Sequence, residues 1–441
     1  MKLIANRDFR LGSRALMTEM GACIPSRVLD LLRIGVGLYA ADRRVRRDRS
    51  HLEGPSRNMS VTLAVSEPDF WGSERITNLL VSALELLSGD AFLLSFSPHR
   101  KKTEFQHSFL EPWERVDVVS LYSGGLDSAA GLAAQIRRDD GLSRVTVTAR
   151  HQSSQREIVQ KQLKSLSEIT GRHTPAFFVK TNLIGAPRMS EQERTQRCRG
   201  FLFMSLAGVV AAQLGASTVE VFENGIGALN LPPMAGMLLS GRSTKNCHPG
   251  FLRMMSELVS AVAERPIEYV LPFQSFTKAE LVAAMRENPK LADVARSTVS
   301  CVHFPRRAAA KQCGVCPRCL GRRQALRLAR IDDPVSAYEY DIFGSSEVFD
   351  RIPAHELDYL KATLMDVQKL ESLSSHQVPT RIGSHIFGTG VAQPGESIDS
   401  WMDLLSRYRE EWRELAVRAN ESGTRWGSWF RLFESLKRGA A

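Results

Sequence analysis

The segment from Val116 to Arg137 constrains the fold of this 441-residue chain more than any other. A short apolar run at 116–121, of the kind found in strands buried on both faces of a parallel sheet, leads into Ser123-Gly-Gly-Leu-Asp-Ser128. A helix is predicted to follow over 129–137. Glycines at such a junction let the backbone approach an anion, and the N–H groups of the first helical turn point at it. The segment therefore predicts a phosphate-binding loop at the edge of a parallel sheet.

Strands and helices continue to alternate after this loop. Strands are predicted at 144–149, 176–180 and 218–222, and helices at 154–170 and 200–215. This alternation predicts an α/β domain built on a doubly wound parallel sheet.

The region before this domain is predicted to be a small α+β accessory unit. Residues 1–50 are predicted to be helical, 59–66 and 91–97 to be strands, and 74–87 to be a helix with one buried face. Nothing in this unit carries recognisable chemistry. We place its boundary with the central domain at residue 112.

The region after residue 333 is predicted to be a helical extension, so that the chain divides into 1–112, 113–333 and 334–441. The segment 383–395 is rich in glycine and is predicted to be a surface loop. The extension contains four of the six tryptophans, at spacings typical of a helical core: Trp401, Trp412, Trp426 and Trp429.

Four of the seven cysteines lie within 19 residues, at Cys301, Cys313, Cys316 and Cys319. Two interlocked Cys-x2-Cys steps can surround one ion, and a fourth thiolate from upstream completes a tetrahedron. This spacing predicts a structural zinc site with no open coordination position. An iron–sulfur cluster on the same ligands is the alternative.

The phosphate loop differs from a P-loop because it lacks Gly-Lys-Ser/Thr, so transfer of the γ-phosphoryl group is not expected. Ser123 and Ser128 add hydroxyl donors, and Asp127 suits a loop where magnesium bridges a carboxylate to phosphates. The hexapeptide resembles the signature of the PP-loop ATP pyrophosphatases. The resemblance implies ATP binding, adenylation and release of pyrophosphate, with these loop residues holding the nucleotide: Ser123, Gly124, Gly125, Leu126, Asp127 and Ser128.

The formal net charge of +10 is concentrated in two clusters. Residues 1–60 carry +6, much of it in the arginine-rich stretch 43–49, and residues 296–330 carry +9 without one acidic residue. We interpret the second cluster as offsetting a zinc thiolate site or meeting phosphates, and the first as a candidate partner surface. The cations expected beside the zinc are Arg306, Arg307, Lys311, Arg318, Arg322 and Arg323, whereas Arg327 and Arg330 are expected on a solvated helix face.

Several segments of the central domain together resemble the QueC family of 7-cyano-7-deazaguanine synthases. The loop and the cysteine segment Cys313-Gly-Val-Cys-Pro-Arg-Cys319 carry the resemblance. It extends to these further segments: His151-Gln152 with Arg156-Glu157-Ile158, Arg199-Gly-Phe-Leu-Phe203, Asn246-Cys-His-Pro-Gly-Phe251, and Pro272 with Thr277-Lys-Ala-Glu280. Gly200, Asn246 and His248 depart from the family pattern in segments that shape its substrate pocket.

The resemblance implies an ATP-dependent C–N ligase that adenylates the carboxylate of 7-carboxy-7-deazaguanine and passes the acyl group to ammonia. Asp127, Lys278 and Arg199 are then the catalytic candidates, with the two cations stabilising the leaving pyrophosphate, and Gln152 joins the nucleotide site. The two terminal regions resemble the extended QueC-like proteins of bacterial antiviral defence operons. For those, the resemblance implies an amine on a partner protein as the acceptor.

Other interpretations remain open. The stretch 43–49 would suit a tRNA-modifying PP-loop enzyme, although nucleic acid is not the expected partner because the cysteines are committed to a metal. A catalytically inactive nucleotide-sensing scaffold is a third possibility, and the terminal regions would equally suit a homodimer interface or a lid. Composition and the absence of an apolar run long enough for a bilayer predict a cytoplasmic protein without a membrane segment.

Overall fold

A computed structural model of the chain describes most of its residues. The described ranges are 1–5, 7–21, 23–47, 56–99, 116–138, 140–150, 153–180, 182–184, 191–193, 195–231, 245–302, 311–343, 348–373, 377–388, 390–391 and 398–421. No helix within these ranges is long and apolar enough to cross a membrane.

The N-terminal unit contains a three-stranded sheet covered by helices. Its elements are β1 (Lys2–Leu3), β2 (Phe9–Arg10), α1 (Ser13–Met20), α2 (Ser26–Arg44), β3 (Asn58–Val65), α3 (Pro68–Trp71), α4 (Glu74–Ser88) and β4 (Ala91–Pro98). The strand order is β1-β3-β4 and both pairings are parallel. Helices and strands are both present as predicted, and the parallel pairing is that of a βαβ unit.

The strands and helices of this unit follow their sequence patterns closely. Alternate residues of β3, including Val61 and Leu63, are buried as the apolar alternation predicts. Residues 1–50 are not wholly helical, because β1 and β2 precede the helices. Each of these strands is only two residues long, so no periodicity could reveal it.

The arginine-rich stretch at the end of α2 faces the interior, which corrects its interpretation as a partner surface. Arg43 donates to the backbone oxygen of Glu193, and Arg44 donates to Ile184 O at 2.7 Å. Arg47 donates from both terminal nitrogens to Asp90. These contacts join α2 to chain segments far away in sequence. Of the described arginines in the stretch, only Arg46 is exposed.

Asp90 is the centre of a buried ionic network. Its carboxylate, which is inaccessible to solvent, accepts from Arg57 Nη2 at 2.6 Å as well as from Arg47. Arg57 also donates to Asp42 at 2.5 Å. Burial acts to raise the pKa of Asp90, but the hydrogen bonds and charges of Arg57 and Arg47 outweigh it and lower the pKa. The ionised form is therefore favoured by folding.

We expect Asp90→Ala to destabilise the protein by about 3–5 kcal/mol, because two buried guanidinium groups lose their counter-charge. Urea unfolding at pH 7 measures this, with the exposed Asp69→Ala as the control. Since folding lowers the pKa of Asp90, its contribution in the wild type is lost as the pH falls below about 4. A loss under about 1 kcal/mol would contradict the assignment of a buried network.

The central domain is an α/β fold around a five-stranded sheet. Its elements are β5 (Val118–Leu121), α5 (Leu126–Arg137), β6 (Arg144–Arg150), α6 (Ser153–Thr170), β7 (Ala176–Lys180), β8 (Asn182–Leu183), α7 (Arg199–Leu214), β9 (Thr218–Val221), α8 (Gly225–Leu229), α9 (Pro249–Ala263), β10 (Glu268–Val270), α10 (Lys278–Ala283), α11 (Pro289–Ser297) and α12 (Pro317–Leu328). The order β10-β9-β5-β6-β7 is parallel throughout. This confirms the predicted doubly wound sheet, whose switch point lies between β5 and β9. The three-residue β10 was not predicted.

The N-terminal unit and the central domain share one apolar core. Strand β2 pairs antiparallel with β8, so that Phe9 lies opposite Leu183. Helix α2 packs along α7, and Gly35 lies close enough to Ser205 that a Cβ there would be 3.1 Å from the serine side chain. Residue 112, the predicted boundary, lies outside the described residues.

The C-terminal extension is helical, as predicted. It contains α13 (Val348–Arg351), α14 (Ala354–Ser372), α15 (Gln377–Gly388) and α16 (Asp399–Glu421). Trp401 and Trp412 are buried, whereas Trp426 and Trp429 lie outside the described residues. The predicted loop at 383–395 is wrong for residues 383–388, which form the last part of α15. Apolar residues of this helix, including Ile382 and Ile386, are buried. Their packing outweighs the low helix propensity of glycine.

Candidate functional site

The glycine loop lies at the carboxyl edge of the sheet, between β5 and α5. Helix α5 begins at Leu126, three residues before the predicted start, so that Asp127 and Ser128 belong to its first turn. The N–H groups of a first turn have no partners within their helix. The neighbouring strand β9 ends beside the loop, because Leu121 pairs with Val221. The loop therefore presents anion-binding groups at the switch point of the sheet.

Hydrogen bonds within the loop fix its shape. Ser128 Oγ donates to Gly125 O at 2.9 Å, and Ser123 Oγ lies 3.2 Å from Ser128 Oγ. Gly124 has a φ of 77°, a left-handed conformation that favours glycine. A Cβ at Gly124 would also lie 3.1 Å from the side chain of Val159 on α6. The loop is thus held in a form that a larger residue would disturb.

Asp127 and Lys278, two of the three catalytic candidates, form an ion pair. Lys278 Nζ donates to Asp127 Oδ2 at 2.5 Å, and the side chains are 20% and 15% exposed. Burial acts to lower the pKa of Lys278, but the charges of Asp127 and Glu223 outweigh it and raise the pKa. Lys278 is therefore a positive charge at the open side of the phosphate loop.

Glu223 and Asn224, which lie in the segment that follows β9, complete this cluster. Neither residue was predicted. Asn224 Nδ2 donates to Asp127 Oδ1 at 2.8 Å and to Glu223 Oε1 at 2.9 Å. Asn224 is itself fixed, because its Oδ1 accepts from Gly227 N at 3.0 Å as the N-cap of α8. A Cβ at Gly227 would lie 2.2 Å from Glu223 Oε1, so this glycine makes room for the carboxylate.

Glu223 is electrostatically coupled to the other charges of the site. Burial and the charge of Asp127 together raise the pKa of Glu223 to about 7, against the opposing effects of Lys278 and Arg318. With Arg318 near the loop, two carboxylates and two cations meet there. The cluster can bind a metal–phosphate complex without a large net charge.

The segment that leads into the cysteine cluster, residues 299–301, is hydrogen-bonded to the phosphate loop. Val299 N donates to Gly124 O at 3.1 Å, and Gln162 Nε2 donates to the same oxygen at 3.3 Å. Gln312 Oε1 then accepts from Ser300 N at 2.9 Å and from Cys301 N at 3.3 Å. One short segment therefore connects the phosphate loop to the cysteine cluster.

The four predicted metal ligands come together. Their Sγ atoms lie within 4.8 Å of one another, and all four cysteines are buried. The Sγ atoms of Cys313 and Cys319 are 3.8 Å apart, which matches the edge of a tetrahedron with metal–sulfur bonds of about 2.3 Å. A four-iron cluster would require wider spacing, since its irons lie between the cysteine sulfurs. The cluster fits one tetrahedral metal ion.

The arginines of α12 correct one prediction. Arg322 donates to Ala295 O at 3.1 Å and to Thr298, and Arg323 pairs with Asp333 at 3.1 Å and with Asp341. Both guanidinium groups are fully buried, so neither meets a phosphate.

The other basic residues of this cluster differ from one another. Arg318 is exposed, and its charge acts on both Lys278 and Glu223, so it lies near the loop. Arg327 does not lie on a solvated face, because its guanidinium carbon lies 4.1 Å from the centre of the Phe343 ring. Arg330 is exposed as predicted. Arg306 and Arg307 lie outside the described residues.

Of the two remaining predicted site residues, the structure describes Arg199 but not Gln152. Arg199, the first residue of α7, stacks over the Phe203 ring at 4.9 Å. A Cβ at Gly200 would lie 2.2 Å from Asn246 Oδ1, which brings two of the three departures from the family pattern together. Gln152 lies outside the described residues, as does His151.

The third departure, His248, is fully buried and caps α9. Its Nδ1 accepts from Gly250 N at 3.2 Å. Burial, together with the charge of Lys245, lowers the pKa of His248 to about 3. His248 is therefore neutral at physiological pH. The ring of His385, from α15, lies 6.0 Å away, so the C-terminal extension reaches this segment.

The fold and the loop are those of the PP-loop ATP pyrophosphatases. The family model described as queuosine biosynthesis protein QueC matches residues 117–330. The central domain is therefore QueC-like, and the match covers 214 of the 441 residues, just under half of the chain.

Two curated relatives have the same name, 7-cyano-7-deazaguanine synthase. The protein from Thermoplasma acidophilum is 23% identical over 257 residues, which are 52% of this chain and 95% of that protein. The protein from Brucella ovis is 31% identical over 105 residues, which are 23% of this chain and 41% of that protein. Both matches leave a large part of this chain without a counterpart.

A solved structure, the U34-tRNA thiolase NcsA from Methanococcus maripaludis with its [4Fe-4S] cluster, also resembles the chain. The likeness covers 64% of this chain and 84% of that one, with 10% sequence identity and a TM-score of 0.28. A likeness this distant carries no functional argument.

Proposed function

We propose that this protein is a QueC-like ATP-dependent ligase that adenylates the carboxylate of a 7-deazaguanine and transfers the acyl group to an amine. The observation that carries the proposal is the Asp127–Lys278 pair at the open side of the phosphate loop, within a QueC-like domain.

In the first step, an oxygen of the substrate carboxylate attacks the α-phosphorus of ATP, and the bond to the pyrophosphate oxygen breaks. The N–H groups at the start of α5 bind the pyrophosphate, and Ser123 and Ser128 supply hydroxyl donors. Lys278 stabilises the negative charge that develops on the leaving group. We assign Arg199 the same task from the start of α7.

Mg²⁺ and Zn²⁺ are the metal ions we propose. Asp127 and Glu223 are hard oxygen ligands beside the loop, and they would hold magnesium, which offsets charge on the phosphates when bound. The four thiolates would hold zinc in a closed tetrahedral site that supplies structure and no reactive position. We place the protein in the cytoplasm, where such thiols stay reduced.

In the second step, a neutral amine nitrogen attacks the acyl carbon, the bond to the AMP oxygen breaks, and the amine releases a proton. Holding the amine near the carbonyl accelerates this step, because it converts a bimolecular encounter into an intramolecular one. Ammonia would give an amide, and a second activation would give a nitrile. An amine on a partner protein would give a protein conjugate.

The second acceptor is supported by the two terminal regions. They pack closely against the domain, and His385 reaches the pocket segment at His248. A role in bacterial antiviral defence follows only from the resemblance of this extended form to QueC-like proteins of defence operons. The tRNA-modifying alternative loses its main support, because three of the arginines in the stretch 43–49 face the interior.

The test is incubation with ATP, Mg²⁺ and 7-carboxy-7-deazaguanine, with either ammonium or the proteins of the neighbouring operon, read by mass spectrometry. We expect AMP and pyrophosphate in stoichiometric amounts, together with a nitrile or amide, or a deazaguanine mass added to a protein. Asp127→Ala is the negative control. Absence of pyrophosphate with every candidate carboxylate would contradict the proposal and favour the inactive scaffold. Steeply salt-dependent tRNA binding with adenylation of the RNA would favour the tRNA enzyme.

A further inference from the structure

Helix α16 of the C-terminal extension packs directly on the elements that carry the candidate site. A Cβ at Gly225, one residue after Asn224, would lie 2.5 Å from Leu404 Cδ2. Arg407 donates to Ser275 O at 2.9 Å and forms an ion pair with Glu280 on α10. The extension is therefore in contact with both segments that hold partners of Asp127.

Glu411, one turn further along α16, receives a hydrogen bond at the start of α10. Thr277, the N-cap residue of α10, donates its hydroxyl proton to Glu411 Oε1. The same Thr277 oxygen accepts from Glu280 N at 3.2 Å, while Glu280 Oε2 accepts from Thr277 N at 2.9 Å, which forms a capping box. Lys278 is the next residue. Glu411 thus bonds to the residue that sets where the helix of Lys278 begins.

The second oxygen of Glu411 is bound by a different helix. Gln324 Nε2 donates to Glu411 Oε2 at 2.7 Å, and Gln324 lies on α12, the helix that carries Cys319. Thr277 and Gln324 are almost inaccessible to solvent. A single carboxylate from the extension therefore joins the helix of Lys278 to the helix of the metal ligand.

Removing this carboxylate leaves two buried donors without an acceptor, which is costly in a protein interior. The charged groups that face Glu411 are Glu280 from α10 and Arg407 from its own helix. Burial raises the pKa of Glu411 to about 7, against the lowering effect of the hydrogen bonds from Thr277 and Gln324. The carboxylate with both oxygens accepting is the form that the two donors select.

We propose that Glu411 is a positioning residue for adenylation: it holds the start of α10 so that Lys278 meets Asp127 at the phosphate loop. This makes the C-terminal extension a part of the ATP site, an assignment that rests on the proposed function. The reaction depends on the position of Lys278 relative to the pyrophosphate, and a displacement of about 1 Å can lower a rate about a hundredfold.

The test exchanges the donor on α12, the amide of Gln324, with the acceptor on α16, the carboxylate of Glu411. Glu411→Gln turns an amide NH2 toward a donor, and Gln324→Glu sets two carboxylates against each other. In the double variant Glu411→Gln/Gln324→Glu, the new amide at 411 can donate to the new carboxylate at 324 and still accept from Thr277. Glu410→Gln, on the exposed face of the same helix, is the matched control.

We expect ATP–pyrophosphate exchange in each single variant to fall about tenfold to a hundredfold in kcat. The double variant should recover to within about threefold of the wild type, and the control should be unchanged. Hydrogen exchange of the α10 amides should be faster in the single variants and restored in the double. The proposal would be overturned if Glu411→Gln catalysed ATP–pyrophosphate exchange at the wild-type rate. It would also be overturned if the double variant catalysed that exchange as slowly as the single variants.

The two proposals fail in different ways. If the wild-type protein shows no pyrophosphate exchange with any candidate carboxylate, the proposed function is wrong. The affinity for ATP and the hydrogen exchange of α10 then still report on Glu411. Weaker ATP binding and faster hydrogen exchange of α10 in the single variants, both restored in the double variant, would support the positioning role of Glu411. No change in either measurement would overturn it.

Discussion

Replacing Asp127 with alanine is expected to reduce pyrophosphate release by about a thousandfold or more, while the protein remains folded. Asp127 accepts from Lys278 at 2.5 Å and from Asn224 at 2.8 Å, so its removal releases both groups from the phosphate loop. Lys278 would then pair with Glu223 and leave the position from which it can bind pyrophosphate. Losing a single preorganised electrostatic group commonly costs about a hundredfold to a thousandfold in rate, and here at least two groups are displaced together.

The measurement is pyrophosphate release with saturating ATP and substrate, together with circular dichroism to establish folding. Asp293→Ala, at an exposed position on α11, should behave as the wild type. Lys278→Gln should be similarly slow, and the double variant little slower than either single one, because the two residues act as a unit. Release within about tenfold of the wild type in Asp127→Ala would contradict the loop assignment.

The parallel sheet and the phosphate loop could be predicted because their signals are local. Strands buried on both faces are continuous apolar runs, and β7 was predicted to the residue while β6 extends one residue further. The loop could be identified because glycines directly follow such a run. The boundary of α5 was misplaced by three residues, because the last residues of the loop motif, Leu126 to Ser128, also form the first turn of the helix.

Glu223 and Asn224 were missed although the topology offered a signal. They follow β9, whose carboxyl end lies next to that of β5 in any doubly wound sheet with this switch point. Polar residues there face the loop whatever their distance in sequence. The prediction required the strand order, which a single sequence does not provide.

The arginine clusters show where composition misleads. A local excess of positive charge suggested surfaces for partners or phosphates, yet Arg47 and Arg323 are buried against Asp90 and Asp333. Their counter-charges lie in other segments of the chain, so a count within a window cannot detect them. Net charge describes solubility and association better than it describes a site.

Replacing Cys316 with serine is expected to remove about one equivalent of zinc per chain and to destabilise the protein. Ligand sulfurs within 4.8 Å of one another are preorganised for one ion, and binding free energy at such sites is folding free energy. The effect should reach the ATP site, since Val299 N donates to Gly124 O and Gln312 holds the intervening segment. We therefore expect a lower melting temperature and slower pyrophosphate release from the same variant.

Zinc is measured by elemental analysis of the purified protein, with the exposed Cys23→Ser as the matched control that keeps its metal. If the analysis instead found iron and inorganic sulfide in the wild-type protein, the site would hold an iron–sulfur cluster and not zinc. The close spacing of the sulfurs argues against that outcome. A soluble, metal-free and fully active Cys316→Ser protein would contradict both the metal site and its support of the loop. Because Gly124 accepts from Val299 on one side and from Gln162 on the other, a zinc-depleted protein should retain a partly ordered loop. Its affinity for ATP should therefore fall less than its rate of adenylation.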